Sequence, residues 1–129
     1  MFEGFLLVFD TKYRYSYNRP VTVINKWIDA KWEALMQTPA FPEYTSGQSA
    51  ITGSVATVLT KIYGNNFYFQ DTSCMRYINR QRYFNSFIQA FDKCSIRRLY
   101  GGIHYRISVD KGAECGKKIG MFIIQKLMK

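Results

Sequence analysis

Residues 41–66 read FPEYTSGQSAITGSVATVLTKIYGNN, and this stretch decides the class of fold. It opens inside a loop, because TPAFPEYTSGQ (residues 38–48) holds two prolines and a Ser-Gly pair. From Ser49 onward Ile51, Val55, Val58, Leu59 and Ile62 recur at helical spacing. Gly64-Asn65-Asn66 then supplies a stop signal. Working outward, Ile24, Trp27, Ile28 and Leu35 keep a helical period between roughly residues 21 and 36. Phe84, Phe87, Ile88 and Phe91 form another stripe, with Asn85 or Ser86 as its cap. After Gly101-Gly102, a last helix is predicted from about residue 105 or 112 to 127. It carries Ile119, Ile123 and Leu127, with Ala113, Gly116 and Gly120 small enough to admit a neighbouring helix. Residues 67–82 alternate aromatic and basic side chains without a clear period and read as loop or short helix. No window offers strand alternation. The expectation is an all-α helical bundle in one domain, residues 1–129.

Composition bounds the function classes. At 129 residues the chain is long enough for one domain, and 47% hydrophobic with 21% charged residues excludes intrinsic disorder. No uninterrupted apolar run approaches the ~20 residues of a transmembrane helix. The opening MFEGFLLVFD lacks a basic leader and a small-residue cleavage site, so no signal peptide is read and no compartment is assigned. Cys74, Cys94 and Cys115 are odd in number and widely spaced, which suits free thiols rather than a disulfide framework or a CxxC metal site. With a single histidine, His104, a zinc site is disfavoured. The net charge of +9 is lopsided: residues 71–129 hold twelve Lys/Arg against four Asp/Glu, whereas residues 1–70 hold six against five. Such a balance favours anionic partners.

Three segments each supply what a tetrahedral oxyanion needs. KYRYSYNRP (residues 12–20) sets Lys12 and Arg19 seven apart, two turns along one face if the helix is continuous. The loop at residues 41–53 delivers Ser46 and Gly47 to the start of a helix, where unpaired N–H groups and the dipole favour an anion. RRLYGGIHYR (residues 97–106) sets Arg98 six before His104. The Gly-Gly between them lets Arg98 end one helix while His104 opens the next. Taken singly, each has an ordinary alternative: a solvated cationic face, a Ser helix cap, a packed histidine.

Together the three segments resemble the signature K-x6-RP, PSGH, SR-x5-H-x3-D. That is the pattern of the type 2 phosphatidic acid phosphatase and vanadium-dependent haloperoxidase superfamily, and the flanking text is most similar to its bacterial haloperoxidase-like branch. The resemblance runs from about Phe9 to the end of the chain. It implies the C-terminal half of that helical domain. It also implies oxyanion (phosphate or vanadate) binding by Lys12, Arg19, Ser46, Gly47, Arg98 and His104. His104 becomes the apical group, nucleophile toward phosphorus in a phosphatase or ligand of vanadium, as vanadate, in a haloperoxidase. The implied partners are phosphate and its esters, or vanadate with peroxide and halide; a phosphatase needs no cofactor.

The departures are specific. Gln48 occupies the position of the family's acid/base histidine, and an amide transfers no proton in this pH range. Thr45 replaces the proline and Arg97 the serine. Ser108 stands where an aspartate would orient His104, leaving Asp110 as the nearest acid in sequence. The resemblance also begins late in the family's domain. The half bundle is therefore expected to self-associate, to take its missing helices from another chain, or to be a fragment of a decaying or split gene. Two alternatives stand beside the enzyme reading: a catalytically inactive phosphate-binding remnant, and a basic nucleic-acid-binding module. No nucleic-acid-binding motif supports the latter, so nucleic acid is an unfavoured partner.

Overall fold

The computed structural model describes residues 2–128. In chain order it contains α1 (Phe2–Tyr15), α2 (Pro20–Trp27), α3 (Gly47–Tyr63), β1 (Phe69–Asp71), the single turn α4 (Met75–Ile78), β2 (Arg82–Phe84), α5 (Phe87–Tyr100) and α6 (Arg106–Leu127). The strands pair with each other, antiparallel. The architecture is an all-α helical bundle, as the periodicity predicts. Among the described residues no helix is long and apolar enough to cross a membrane.

The bundle is organised by the crossing of α3 and α6. Gly112, Gly116 and Gly120 are buried along one face of α6. A Cβ at Gly112 would lie 2.5 Å from the carbonyl oxygen of Ser46, and one at Gly120 would lie 2.8 Å from that of Ser54. At Gly116 a Cβ would run into the carbonyl of Ala50. The partners ascend together along both chains, so the helices are parallel. α3 answers with its own small face: Ser49, Ala50, Gly53, Ser54 and Ala56 are its buried residues. α5 runs antiparallel to α3. Its Phe91 ring covers Gly53, where a Cβ would sit 3.1 Å from the ring, and its Cys94 meets Gln48. α1 packs Val8 against Gly47.

Several expectations change in detail. The helix expected between residues 21 and 36 stops at Trp27. Trp27, Ile28 and Leu35 are exposed, Leu35 at 89%, because among the described residues no element covers that face. Trp32 and Met36 instead close over Gly102 and Gly101. The stretch at 67–82 contains β1 and the single-turn α4, and it leads into β2. Phe69 pairs with Phe84, ring centroids 5.4 Å apart, so Phe84 belongs to a strand rather than to the α5 stripe. Three-residue strands offer no alternation to read. Ser86 does cap α5, accepting from the Gln89 N–H at 3.0 Å.

A methyl group should therefore have opposite effects at two glycines. Gly116→Ala forces the α3–α6 crossing apart and should cost about 1–3 kcal/mol, the usual penalty of overpacking. Gly4→Ala meets only Ile119, at an ordinary 3.5 Å. It should be neutral or stabilising by about 0.5–1 kcal/mol through helix propensity. Urea unfolding of the two variants measures the difference; equal midpoints would remove the crossing as the organising contact.

Candidate functional site

Because α3 and α6 are parallel, their N-termini lie at the same end of the bundle. α1 and α5 run the other way and bring their last turns there. Lys12 and Arg98 thus arrive on helix C-termini, where cations are favoured, while Ser46 and Gly47 stand at a helix N-terminus. His104 precedes α6 in the turn opened by Gly102, whose φ is 75°.

Lys12 and Arg19 do not share one helix. α1 ends at Tyr15, Ser16 takes a φ of 47°, and Arg19 is the N-cap of α2. Both side chains nevertheless turn onto the loop at residues 41–45. The Lys12 ammonium, 1% exposed, donates to the carbonyls of Pro42 (3.0 Å), Glu43 (3.0 Å) and Thr45 (2.6 Å). All three of its protons are engaged. Arg19 donates from Nε to Phe41 O (3.0 Å), from Nη2 to Pro42 O (3.2 Å) and from Nη1 to Ile103 O (2.8 Å). Both cations also face the Phe41 ring, at 5.1 and 5.2 Å from its centroid. The loop is wrapped around two buried charges.

That loop carries a residue the sequence reading passed over. Glu43 is fully buried. His104 Nδ1 lies 2.6 Å from its Oε1, the Tyr105 N–H donates to the same oxygen at 3.1 Å, and the Ser108 hydroxyl donates to Oε2 at 2.6 Å. A carboxylate accepting at Nδ1 keeps the imidazole proton there. The Nε2 lone pair then faces Arg19 Nη1, 3.3 Å away. Ser108 does not replace the expected acid; it braces one supplied by another segment. Asp110 is exposed and takes no part. The available signal was a lone acid, Glu43, in a Pro-bounded loop that otherwise presents anion-binding groups.

The ionisation states follow from burial and neighbours. Burial, then the charges of Arg19 and Lys12, holds the His104 pKa below its ordinary value, against the pull of Glu43. Burial alone would push the Glu43 carboxyl up, but the hydrogen bonds from His104, Ser108 and Tyr105 outweigh it and hold the carboxyl below its usual range. Lys12 falls to about 8, chiefly through burial and then through Arg19. With Lys12, Arg19 and Arg98 charged, His104 neutral and Glu43 ionised, the cluster carries a net charge of about +2 at neutral pH.

The remaining residues divide. Ser46 is fully buried and caps α3, its Oγ accepting from Ser49 Oγ at 2.9 Å and Ser49 N at 3.4 Å. Gly47 opens α3 against Val8 and the Lys12 side chain, where a Cβ would lie 3.3 Å from Val8. Arg98 is within electrostatic reach of Lys12 and Arg19, and its Nε is buried with no hydrogen-bond partner. Gln48 is exposed and donates from Nε2 to Cys94 Sγ at 3.3 Å. Among the described residues no group of three or more His, Cys, Asp or Glu is placed to hold a metal ion, and the three cysteines are free.

A family model described as the VCPO second helical-bundle domain matches residues 1–129. The chain belongs to that family. A crystal structure of a bacterial vanadium-dependent iodoperoxidase superposes with a TM-score of 0.93 at 46% identity, covering 96% of this chain and 30% of that one. Holo- and apo-type structures of a bacterial vanadium-dependent chloroperoxidase superpose at TM-scores of 0.80 and 0.79, each at 16% identity, 96% of this chain and 33% of theirs; these show the shared fold alone. A search of curated proteins found no match. This second-bundle chain thus spans about 30% of the length of the iodoperoxidase it matches.

The role of Glu43 is open to a direct test, since His104 is the chain's one histidine and its ring nitrogens give unambiguous NMR signals. Glu43→Leu strands three donors and should cost about 1–3 kcal/mol or more. It should also turn the Nδ1–H form into a mixture of tautomers. Glu43→Gln should keep the tautomer, because its carbonyl accepts from Nδ1–H while its amide donates to a reversed Ser108 hydroxyl. An unchanged tautomer in Glu43→Leu would show that the carboxylate does not set it.

Proposed function

We propose that this chain carries the oxyanion site of a vanadium haloperoxidase-like protein. The observation that carries the reading is an excess of one positive charge among the buried Lys12, Arg19 and Glu43, with half-buried Arg98, its Nε unpaired, adding another beside them. A buried cation without a partner is costly, and a dianion at this place supplies the missing acceptor and charge. Phosphate and vanadate fit that description.

In this reading each residue has a distinct task. Arg98 would hold an oxygen of the anion through its free Nε–H, and the first-turn N–H groups of α3 at Gly47 would donate alongside it. Arg19 gives its remaining N–H on Nη2 and, when the anion arrives, the one now facing His104. Lys12 contributes charge while its protons hold the loop. Ser46 shapes the start of α3. Glu43 holds His104 as the Nδ1–H tautomer, leaving Nε2 to act as vanadium ligand, or as nucleophile toward phosphorus in a phosphatase. Bound vanadate would supply the Lewis-acidic centre at which peroxide is activated toward halide. The helices this chain lacks are supplied by the rest of a longer protein, by another chain, or by self-association; exposed Leu6, Leu7 and Phe122 are among the apolar side chains such a partner covers.

One observation favours a second reading, the inactive phosphate binder. Gln48, at the acid/base position, contacts a thiol instead of presenting a proton donor.

Three experiments test these assignments. Arg98→Ala should weaken vanadate or phosphate binding about 10–100-fold, the worth of a charge-assisted hydrogen bond; equal affinity in wild type would end the oxyanion reading. Phosphate affinity should also fall as pH rises through about 8, where free Lys12 loses its proton, and by up to tenfold per further unit. A flat profile through that range would put Lys12 outside the site. Gln48→His should raise phosphatase turnover by up to about 10²–10⁴, more for alkyl than for nitrophenyl leaving groups. No gain in a variant that still binds vanadate would favour the inactive binder.

A further inference from the structure

A cavity of about 660 Å³ lies between α3, α5 and the β-hairpin, next to the candidate oxyanion site. Ile51, Val55 and Leu59, from the apolar stripe of α3, line this space. Phe69 and Phe84 of the hairpin and Phe87 of α5 line it as well, with the small Ala90 among them. Arg82, Lys93, Arg97 and Arg98 also line it, against a single acid, Asp71. That acid already accepts from the Ser73 N–H and hydroxyl, at 2.9 and 2.6 Å. Gln48 and Arg98 are shared with the oxyanion site, so the two spaces adjoin.

An apolar volume of this size with a few charged groups, most of them of one sign, is the ordinary form of a small-molecule site. Water solvates it poorly, and the cations attract a negative group. We propose that this cavity binds an organic anion with an apolar aromatic or alkyl body. The body lies between the α3 stripe and the phenylalanines, and the anionic group lies among Arg82, Lys93 and Arg97. The ligand's binding follows from the cavity alone. Its role as the organic substrate held beside the oxyanion centre rests on the reading given under the proposed function.

Calorimetry on the whole 129-residue chain tests this with hexanoate, decanoate and decanol as probes and inorganic phosphate as a separate reporter of the oxyanion site. Decanoate should bind at least about tenfold tighter than hexanoate, since each buried methylene adds affinity. It should also bind at least about tenfold tighter than decanol, because the cations act on its carboxylate. Ala90→Phe, which fills part of the cavity, should weaken decanoate about tenfold or more and leave phosphate unchanged. Val55→Phe serves the same purpose should Ala90→Phe fail to fold. Equal binding of decanoate and decanol, no dependence on chain length, or decanoate binding indifferent to a folded filling variant would each overturn the proposal. Decanoate binding as described with no phosphate binding would sustain the cavity and end the oxyanion reading. The converse result would do the reverse.

Discussion

The arrangement around His104 depends on how closely α6 can approach α3. Three glycines at four-residue spacing strip one face of α6 to its backbone, and α3 meets them with Ser46, Ala50, Ser54 and Thr57. Contact at backbone distance fixes rotation as well as separation, because only the small-residue faces let the two backbones come this close. The parallel sense follows from which residues face which. It places two helix N-termini side by side and forces the neighbouring antiparallel helices to end at the same place. The Ser46 N–H donating to the Ser108 carbonyl at 3.0 Å then ties the start of α3 to the first turn of α6.

Cations are driven into that end at a cost in desolvation, and the loop at residues 41–45 answers most of it. Its carbonyls satisfy Lys12 and accept two of the Arg19 N–H groups, and its one carboxylate faces the other way, onto His104. The same short segment therefore neutralises part of the positive charge and sets the histidine's tautomer. This division leaves Lys12 buried and triply bonded, whereas Arg98 retains an unsatisfied donor.

Much of this was legible beforehand. Periodicity marked α3, α5 and α6, and the Gly-Gly at 101–102 marked the break between Arg98 and His104. Small residues in α6 announced a close crossing, although the face of α3 that meets them is its small one, not its apolar stripe. Periodicity failed at residues 28–36, because a stripe predicts a helix only where something buries it. It failed also at the hairpin, whose strands are too short to alternate. Arg19 was identified as a candidate on a spacing argument that assumed one helix, yet the chain breaks at Ser16. Glu43 was not legible as a partner of His104, because no sequence pattern measures a contact across sixty-one positions.

That last separation has a kinetic meaning. Arg19 meets Ile103 across eighty-four positions and Lys12 meets Thr45 across thirty-three. An acid carried on α6 itself would have oriented His104 as soon as that helix formed. With Glu43 in that role, the histidine is oriented only after the loops between residues 12, 43 and 104 have all closed, the slow, non-local events of folding. Fraying of α1 alone releases Lys12, slackens the loop and lets the carboxylate drift from the ring. The state of one imidazole thus reports on the closure of the whole chain.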